Sequence, residues 1–250
     1  MEVTFELLLA LFFVAGAAGF IDAMAGGGGL LTLPALLASG MSPTQALATN
    51  KLQSSFGSFS ASWYFVRSGI VSLKEMRLAI VCTFVGSAIG AEAVQYVDAS
   101  VLTSLIPLLL IAISLYFLLA PTTKADQGES KLSEAAFALS VGGGVGFYDG
   151  FFGPGTGSFF AISLVFLLGF NLVKATAQTK ILNLSSNLAA LLYFIYDGYI
   201  LWDVGLLMFI GQVIGGKIGA QLVLSKGKPL IKFAMIAVSI GVSTKMLFMN

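Results

Sequence analysis

Lys51 and Lys180 each interrupt a stretch of this 250-residue chain that is otherwise free of charge, the first after Ala-Leu-Ala-Thr-Asn50 and the second after Ala-Thr-Ala-Gln-Thr179. A charge near the centre of a bilayer costs at least about 2.5–3.5 kcal/mol, so such a lysine faces a cavity or a partner, unless it lies close enough to the helix start to snorkel out to the interface. Helical steps of three to four from Lys51 reach Ser54, Ser55 and Ser58, flanked by Asn50 and Gln53. The same steps from Lys180 reach Asn183, Leu184 and Asn187, flanked by Gln178, Thr179 and Ser186. Amides and hydroxyls grouped around one added positive charge suit an oxyanion, because they donate several hydrogen bonds to it. The same groups also serve as hydrogen-bonding contacts between membrane helices.

A second pair of motifs precedes these lysines. Gly19-Phe-Ile-Asp22 runs into Gly26-Gly27-Gly28-Gly29, and Gly146-Phe-Tyr-Asp149 runs into Gly153-Pro-Gly155-Thr156-Gly157. A helix in lipid satisfies its own backbone, so a glycine-rich break at that depth leaves amides and carbonyls for protein, water or a ligand to meet. Broken helices given twice mark a transporter site. The helix that starts after each break presents free N–H groups and the positive end of its dipole, and glycine lets an anion approach them. Thr32, Thr156 and Ser158 add hydroxyls there. Asp22 and Asp149 stand at matching positions ahead of the breaks. They accept from exposed amides or pair with the lysines, which is the structural reading favoured here, or they carry a coupling proton. Glu92, matched by Gln221, is a weaker candidate for that task.

The elements that must position these residues belong to an integral membrane protein. The chain is 57% apolar and 10% charged, against about a quarter charged in soluble domains. A net charge of +1 without a basic tract argues against nucleic acid. With no histidine and Cys82 as the single cysteine, the usual neutral-pH base, zinc site and disulfide drop out, and no metal or cofactor is expected. Glu2 and Glu6 stand where a signal peptide needs positive charge, so the first apolar run is expected to be a retained span.

At about 20 apolar residues per crossing, ten segments are expected, near 3–22, 28–40, 44–66, 77–96 and 100–120, then 133–149, 156–170, 175–196, 200–223 and 229–248. The fold class is therefore all-α, with a first repeat over 1–120, a cytoplasmic linker over 121–132 and a second repeat over 133–250. A shift of 129 residues carries Gly40 onto Gly169, Ala46 onto Ala175, Lys51 onto Lys180, Tyr64 onto Tyr193 and Gly69 onto Gly198, and becomes 127 in the glycine breaks. Five segments per repeat require the repeats to be inverted. Lys and Arg gather on the cytoplasmic side, and the loop with Arg67, Lys74 and Arg77 matches Asp197 to Asp203, which has no cation. Conversely, Val97 to Ser100 has none where its partner carries Lys226, Lys228 and Lys232. With Lys124 and Lys131 of the linker inside, both termini fall outside, against Lys245 alone. Segments 2 and 7, about 13 to 15 residues each, do not span comfortably alone, so both glycine loops are expected within the membrane thickness, and the spacings Gly86/Gly90, Gly211/Gly215 and Gly215/Gly219 suit close helix packing. Trp63, Trp202 and Tyr199, at segment ends, suit interfacial anchoring.

In Ala18-Gly-Phe-Ile-Asp-Ala-Met-Ala-Gly-Gly-Gly-Gly-Leu-Leu-Thr-Leu-Pro34, Ala46-Leu-Ala-Thr-Asn-Lys-Leu-Gln53 and Gly146-Phe-Tyr-Asp-Gly-Phe-Phe-Gly-Pro-Gly-Thr-Gly-Ser158 the chain resembles the TauE/SafE family of sulfite exporters and sulfonate permeases. Lys174-Ala-Thr-Ala-Gln-Thr-Lys-Ile-Leu-Asn183 and Leu222-Val-Leu-Ser-Lys-Gly227 extend the resemblance over nearly the whole chain. It implies a secondary transporter in the bacterial inner membrane for sulfur oxyanions or organosulfonates. The expected partners are thus a small anionic substrate and the lipid bilayer, with proton or sodium coupling and homo-oligomer formation left open. A passive anion channel is the alternative. An intramembrane enzyme is weaker still, since only Ser/Lys pairs remain as catalytic sets.

Overall fold

A computed structural model describes residues 4–119 and 128–227. Every regular element among them is helical: α1 (Phe5–Ala25), α2 (Gly29–Ala38), α3 (Pro43–Arg67), α4 (Leu73–Gln95), α5 (Ala99–Leu119), α6 (Glu134–Phe137), α7 (Gly143–Phe151), α8 (Thr156–Leu168), α9 (Leu172–Asp197) and α10 (Trp202–Lys226). A π-helical turn, Ala138–Gly142, joins α6 to α7, where a single uninterrupted segment was expected. The expected tenth segment, most of the linker, and Lys124, Lys228, Lys232 and Lys245 lie outside the described residues.

Local chemistry sets the boundaries. Ser42 and Gln45 form a reciprocal capping box at the start of α3, with Pro43 at the first helical position, and Asn171 caps α9 through the Lys174 N–H. α2 has 10 residues and α8 has 13, shorter than expected, because the chain leaves the helix beside Gly40 and at Gly169, both in the left-handed region. At 1.5 Å per residue they measure about 15 and 20 Å, too short to cross a bilayer core.

By length and composition, α1, α4 and α10 are apolar enough to cross a membrane. Their outer faces agree: Val81, Val85 and Ile89 on α4, and Ile210, Ile214 and Ile218 on α10, recur every fourth residue and are exposed. Such stripes belong against lipid. α1 packs on α10, and α7 packs on α4. α3 meets α10, α9 meets α4, and α3 and α9 meet each other at the centre.

Glycine makes those seams close. A Cβ at Gly211, Gly215 or Gly219 would run into the main chain or small side chains of α1 around Phe12, Gly16 and Phe20, and one at Gly86 or Gly90 into that of α7 around Gly143 and Phe147. These glycines serve helix approach, the packing use their spacing suggested. The seams hold α3 and α9 rigidly in the middle, with the ends of α1 and α7 beside them.

Candidate functional site

α1 ends when Gly26 turns into the left-handed region at φ 77° and its N–H donates to the Asp22 carbonyl. Only glycine adopts that turn without strain. α7 is capped at Phe152, whose N–H donates to the Tyr148 carbonyl, and the left-handed glycines follow it, Gly153 at φ 102° and Gly155 at φ 83°, ahead of α8. The two breaks touch: a Cβ on Gly26 would overlap Gly157 and Ser158, and one on Gly157 would overlap Gly26. Ser158 Oγ donates to the Ala25 carbonyl at 2.5 Å, so a hydroxyl of one break satisfies the orphan acceptor of the other.

Each lysine reaches the aspartate of the opposite half. Lys51 Nζ donates to Asp149 Oδ1 at 2.9 Å and to the Asp149 main-chain carbonyl, while Lys180 Nζ donates to Asp22 Oδ2 at 2.8 Å. Both ammonium groups are buried rather than extended to an interface, with side chains 1% exposed. The two pairs are the ion pairs among the described residues, and their formal charges cancel. Asp149 also accepts from Thr156 Oγ1 at 3.0 Å and from Ser186 Oγ. Asp22 has one further donor, the Gly28 N–H at 3.3 Å. The Asp149 side chain is 4% exposed and that of Asp22 is 20% exposed.

Between the pairs lies a narrow polar cavity of about 20 Å³. Of the residues singled out from sequence, it brings together Asp22, Gly26, Gly28, Gly29, Asn50, Ser54, Asp149, Gly153, Thr156, Gly157, Asn183 and Asn187. The ammonium groups of Lys51 and Lys180 stand behind the carboxylates. Thr32 and Gln53 form a second layer, donating to Asn50 Oδ1 at 2.6 and 2.8 Å. Gly27 and Gly155 belong to the turns, and Ser158 is taken up by Ala25. Gln178 is not part of the site. It points into a cleft with Arg77, Glu134 and Phe137, because two residues before Lys180 is nearly the opposite side of α9.

Ser58, on the serine stripe that runs from Lys51, also lines the cavity. One lining residue was absent from the expected set. Gln212 of α10 fits against Gly19 and Gly57, and its only sequence signal is a lone amide inside an apolar glycine-rich run. Asn183 Oδ1 and Gln53 Oε1 are buried without a hydrogen-bond partner, an unusual surplus of acceptors at one centre. A cavity of this size admits about one water molecule. A larger solute requires its walls to part.

Apolar stripes facing outward, two broken helices that meet each other and buried charges drawn from both halves define a membrane transporter. The chain belongs to the sulfite exporter TauE/SafE family, whose model matches residues 11–246. It is 54% identical over 242 residues to the probable membrane transporter protein YfcA of Escherichia coli (strain K12), covering 97% of this chain and 90% of that one. A probable membrane transporter protein of Haemophilus influenzae is 45% identical over 248 residues, covering 99% and 97%. Probable membrane transporter protein YunE of Bacillus subtilis is 24% identical over 243 residues. No solved structure matches the chain.

Proposed function

We propose that this protein is a secondary transporter of the bacterial inner membrane that moves a small anion, a sulfur oxyanion or organosulfonate, by alternating access between two inverted five-helix repeats. The observation that carries this reading is the neutral pair of crossed Lys–Asp bridges closing a cavity too small for an oxyanion. A monoanion entering such a site adds an uncompensated buried charge unless a cation comes with it or a carboxylate is neutralised. Asp22, with few donors and partial exposure, is the group suited to that change.

The proposed step is as follows. A proton on Asp22 releases Lys180, whose ammonium then compensates the incoming anion, while the amides of Asn183 and Asn187 and the hydroxyls of Ser54 and Ser58 donate to its oxygens. Lys51, tied to Asp149 at two atoms, stays in place and holds α3 to α7. Gly26 and Gly157, in contact at the crossing of the breaks, make the two halves move together.

The inverted arrangement is supported by the reciprocal packing of α1 on α10 and α7 on α4, and by lipid-facing stripes that correspond at the same shift of 129 residues as the lysines. The loop charges support a cytoplasmic linker and periplasmic termini. The family's description as sulfite exporters supports the ligand class.

The test is binding by the purified protein of sulfite, thiosulfate, sulfate, a short alkylsulfonate and a carboxylate of equal size, followed by proteoliposome uptake under imposed proton or sodium gradients. Saturable sulfite or sulfonate binding with proton-driven counterflow is expected. Conductance far above carrier turnover would establish a channel instead, and a sodium requirement would overturn the role given to Asp22. Asp22→Asn is expected to bind the anion without pH dependence and to lose gradient-driven accumulation.

A further inference from the structure

Outside the central site, α3 and α10 run side by side in the same direction. Leu201 N–H donates to Thr49 Oγ1 at 3.1 Å near their starts, and Ser60 Oγ donates to the Val213 carbonyl at 2.9 Å further along. Past that level the helices leave a groove of about 580 Å³ on the protein's outer face. Phe59, Trp63 and Val213 supply its apolar wall, and Arg67 and Lys217 supply two cations. No carboxylate lines it, and neither cation forms an ion pair among the described residues.

The position of Lys217 needs a reason. It sits in the stripe of α10 that faces lipid, between exposed Ile214 and Ile218. Counting from the Ser60–Val213 level at 1.5 Å per residue, Lys217 lies about 6 Å and Arg67 about 10 Å toward the helix ends. The two charges therefore form a short ladder from the helix ends into the groove. A cation at an apolar outer surface is unfavourable unless it reaches water or a counter-charge.

The molecule contains its own control. A shift of 129 residues carries Phe59, Trp63 and Arg67 onto Leu188, Leu192 and Tyr196, and carries Phe84 and Ala88 onto Val213 and Lys217. That equivalent surface, on α9 and α4, has exposed Leu188, Leu192, Tyr196 and Phe84 and no cation. The packing of these helices is thus satisfied by an alanine where α10 has lysine. The charges are therefore not required by this helix packing.

We propose that the α3/α10 groove binds an anionic phospholipid, its headgroup phosphate between Lys217 and Arg67 and one acyl chain along Phe59 and Trp63. Arg67 ends α3 ahead of Lys74 and Arg77 in the first turns of α4, on the cation-rich and hence cytoplasmic side, where juxtamembrane cations meet anionic headgroups. Trp63 has the amphipathic ring suited to headgroup depth. The site is separate from the central cavity and does not depend on which solute that cavity carries.

The experiment measures lipid binding to the full-length protein in detergent by native mass spectrometry, with phosphatidylglycerol and phosphatidylcholine of identical acyl chains. Two cations at about 1 kcal/mol each correspond to a preference of roughly 30-fold for phosphatidylglycerol in the wild type. Lys217→Ala, which installs the residue of the equivalent surface, and Arg67→Gln should each lower that preference about five-fold while leaving phosphatidylcholine binding unchanged. Equal binding of the two lipids by the wild-type protein would overturn the proposal without any variant. So would an unchanged preference in both variants, or displacement of the lipid by millimolar inorganic phosphate, which would indicate a site for free oxyanions. Should Lys217→Ala fold poorly, Lys217→Gln replaces it and the wild-type comparison still decides.

Discussion

Asp149 and Asp22 hold matching places in the two halves and each meets a buried lysine, yet the walls around them differ. Asp149 is held by Lys51 at two atoms and by the hydroxyls of Thr156 and Ser186. The positions that correspond to those hydroxyls around Asp22 are Gly29 and Gly57, which carry none. Gln212 fills the space above Gly57, and the Asp22 side chain is 20% exposed. The two halves share their charges and differ in their neutral donors. That difference is what the proposed roles, Lys51–Asp149 as a fixed pair and Lys180–Asp22 as the one that opens, rest on.

The largest effect that would test this contrast is on stability. Asp149→Ala leaves Lys51 buried and unpaired, and should cost about 3–5 kcal/mol by thermal or denaturant unfolding in detergent. Asp22→Ala should cost less, because Asp22 is the more exposed partner and strands one neutral donor, the Gly28 N–H, where Asp149 would strand two hydroxyls; equal losses would erase the distinction. Next, Ser186→Ala and Thr156→Val strip neutral donors from Asp149, at an expected cost of about 1–3 kcal/mol each. Losses near zero in both variants would mean that the hydroxyls do not fix this pair.

Gly155→Ala and Gly28→Ala separate backbone from site. Gly155 has φ 83°, so alanine there should lower stability by about 1–2 kcal/mol with little change in affinity once folded. Gly28 has an ordinary φ of −56°, but its Cβ would approach Asp22 Cβ to 2.8 Å and the Ala18 carbonyl oxygen to 2.9 Å. Its alanine variant should therefore lower stability and, because it displaces Asp22, also weaken anion binding in the folded fraction, whereas unchanged affinity in both variants would assign both glycines to the turn alone. The smallest expected change is Glu92→Gln, within about 0.5 kcal/mol, since Glu92 has only a 3.5 Å contact with Tyr193 at an exposed site. Loss of coupled transport in that variant would move the proton carrier away from Asp22.

Much of this arrangement was legible from residue order. The repeated Gly-Phe-x-Asp before each break, the lysines at a common shift and the short helices between them all follow from local chemistry and helical period. The partners of the lysines were not legible, because a contact between Lys51 and Asp149 depends on how α3 and α7 pack, which no spacing along one helix encodes. The same reason hid Gln212, whose segment was read only for helix packing, and placed Gln178 in a site it faces away from. The difference between the two aspartate centres was present in the sequence as Thr156 against Gly29 and Ser186 against Gly57. It acquires meaning only once those four positions are known to surround the carboxylates.

The crossing of the ion pairs also sets an order of events at the ribosome. Lys51 and Asp149 are 98 residues apart, and Asp22 and Lys180 are 158 apart. At about 5–20 residues per second, Lys51 waits roughly 5–20 s for its counter-charge to be synthesised, and Asp22 waits longer for Lys180. During that interval the first half enters the membrane with a cation and an anion whose lasting partners do not yet exist. The nascent chain must keep Lys51 near the water or within the insertion machinery until α7 arrives, so membrane insertion and tertiary assembly of this protein cannot be separate stages.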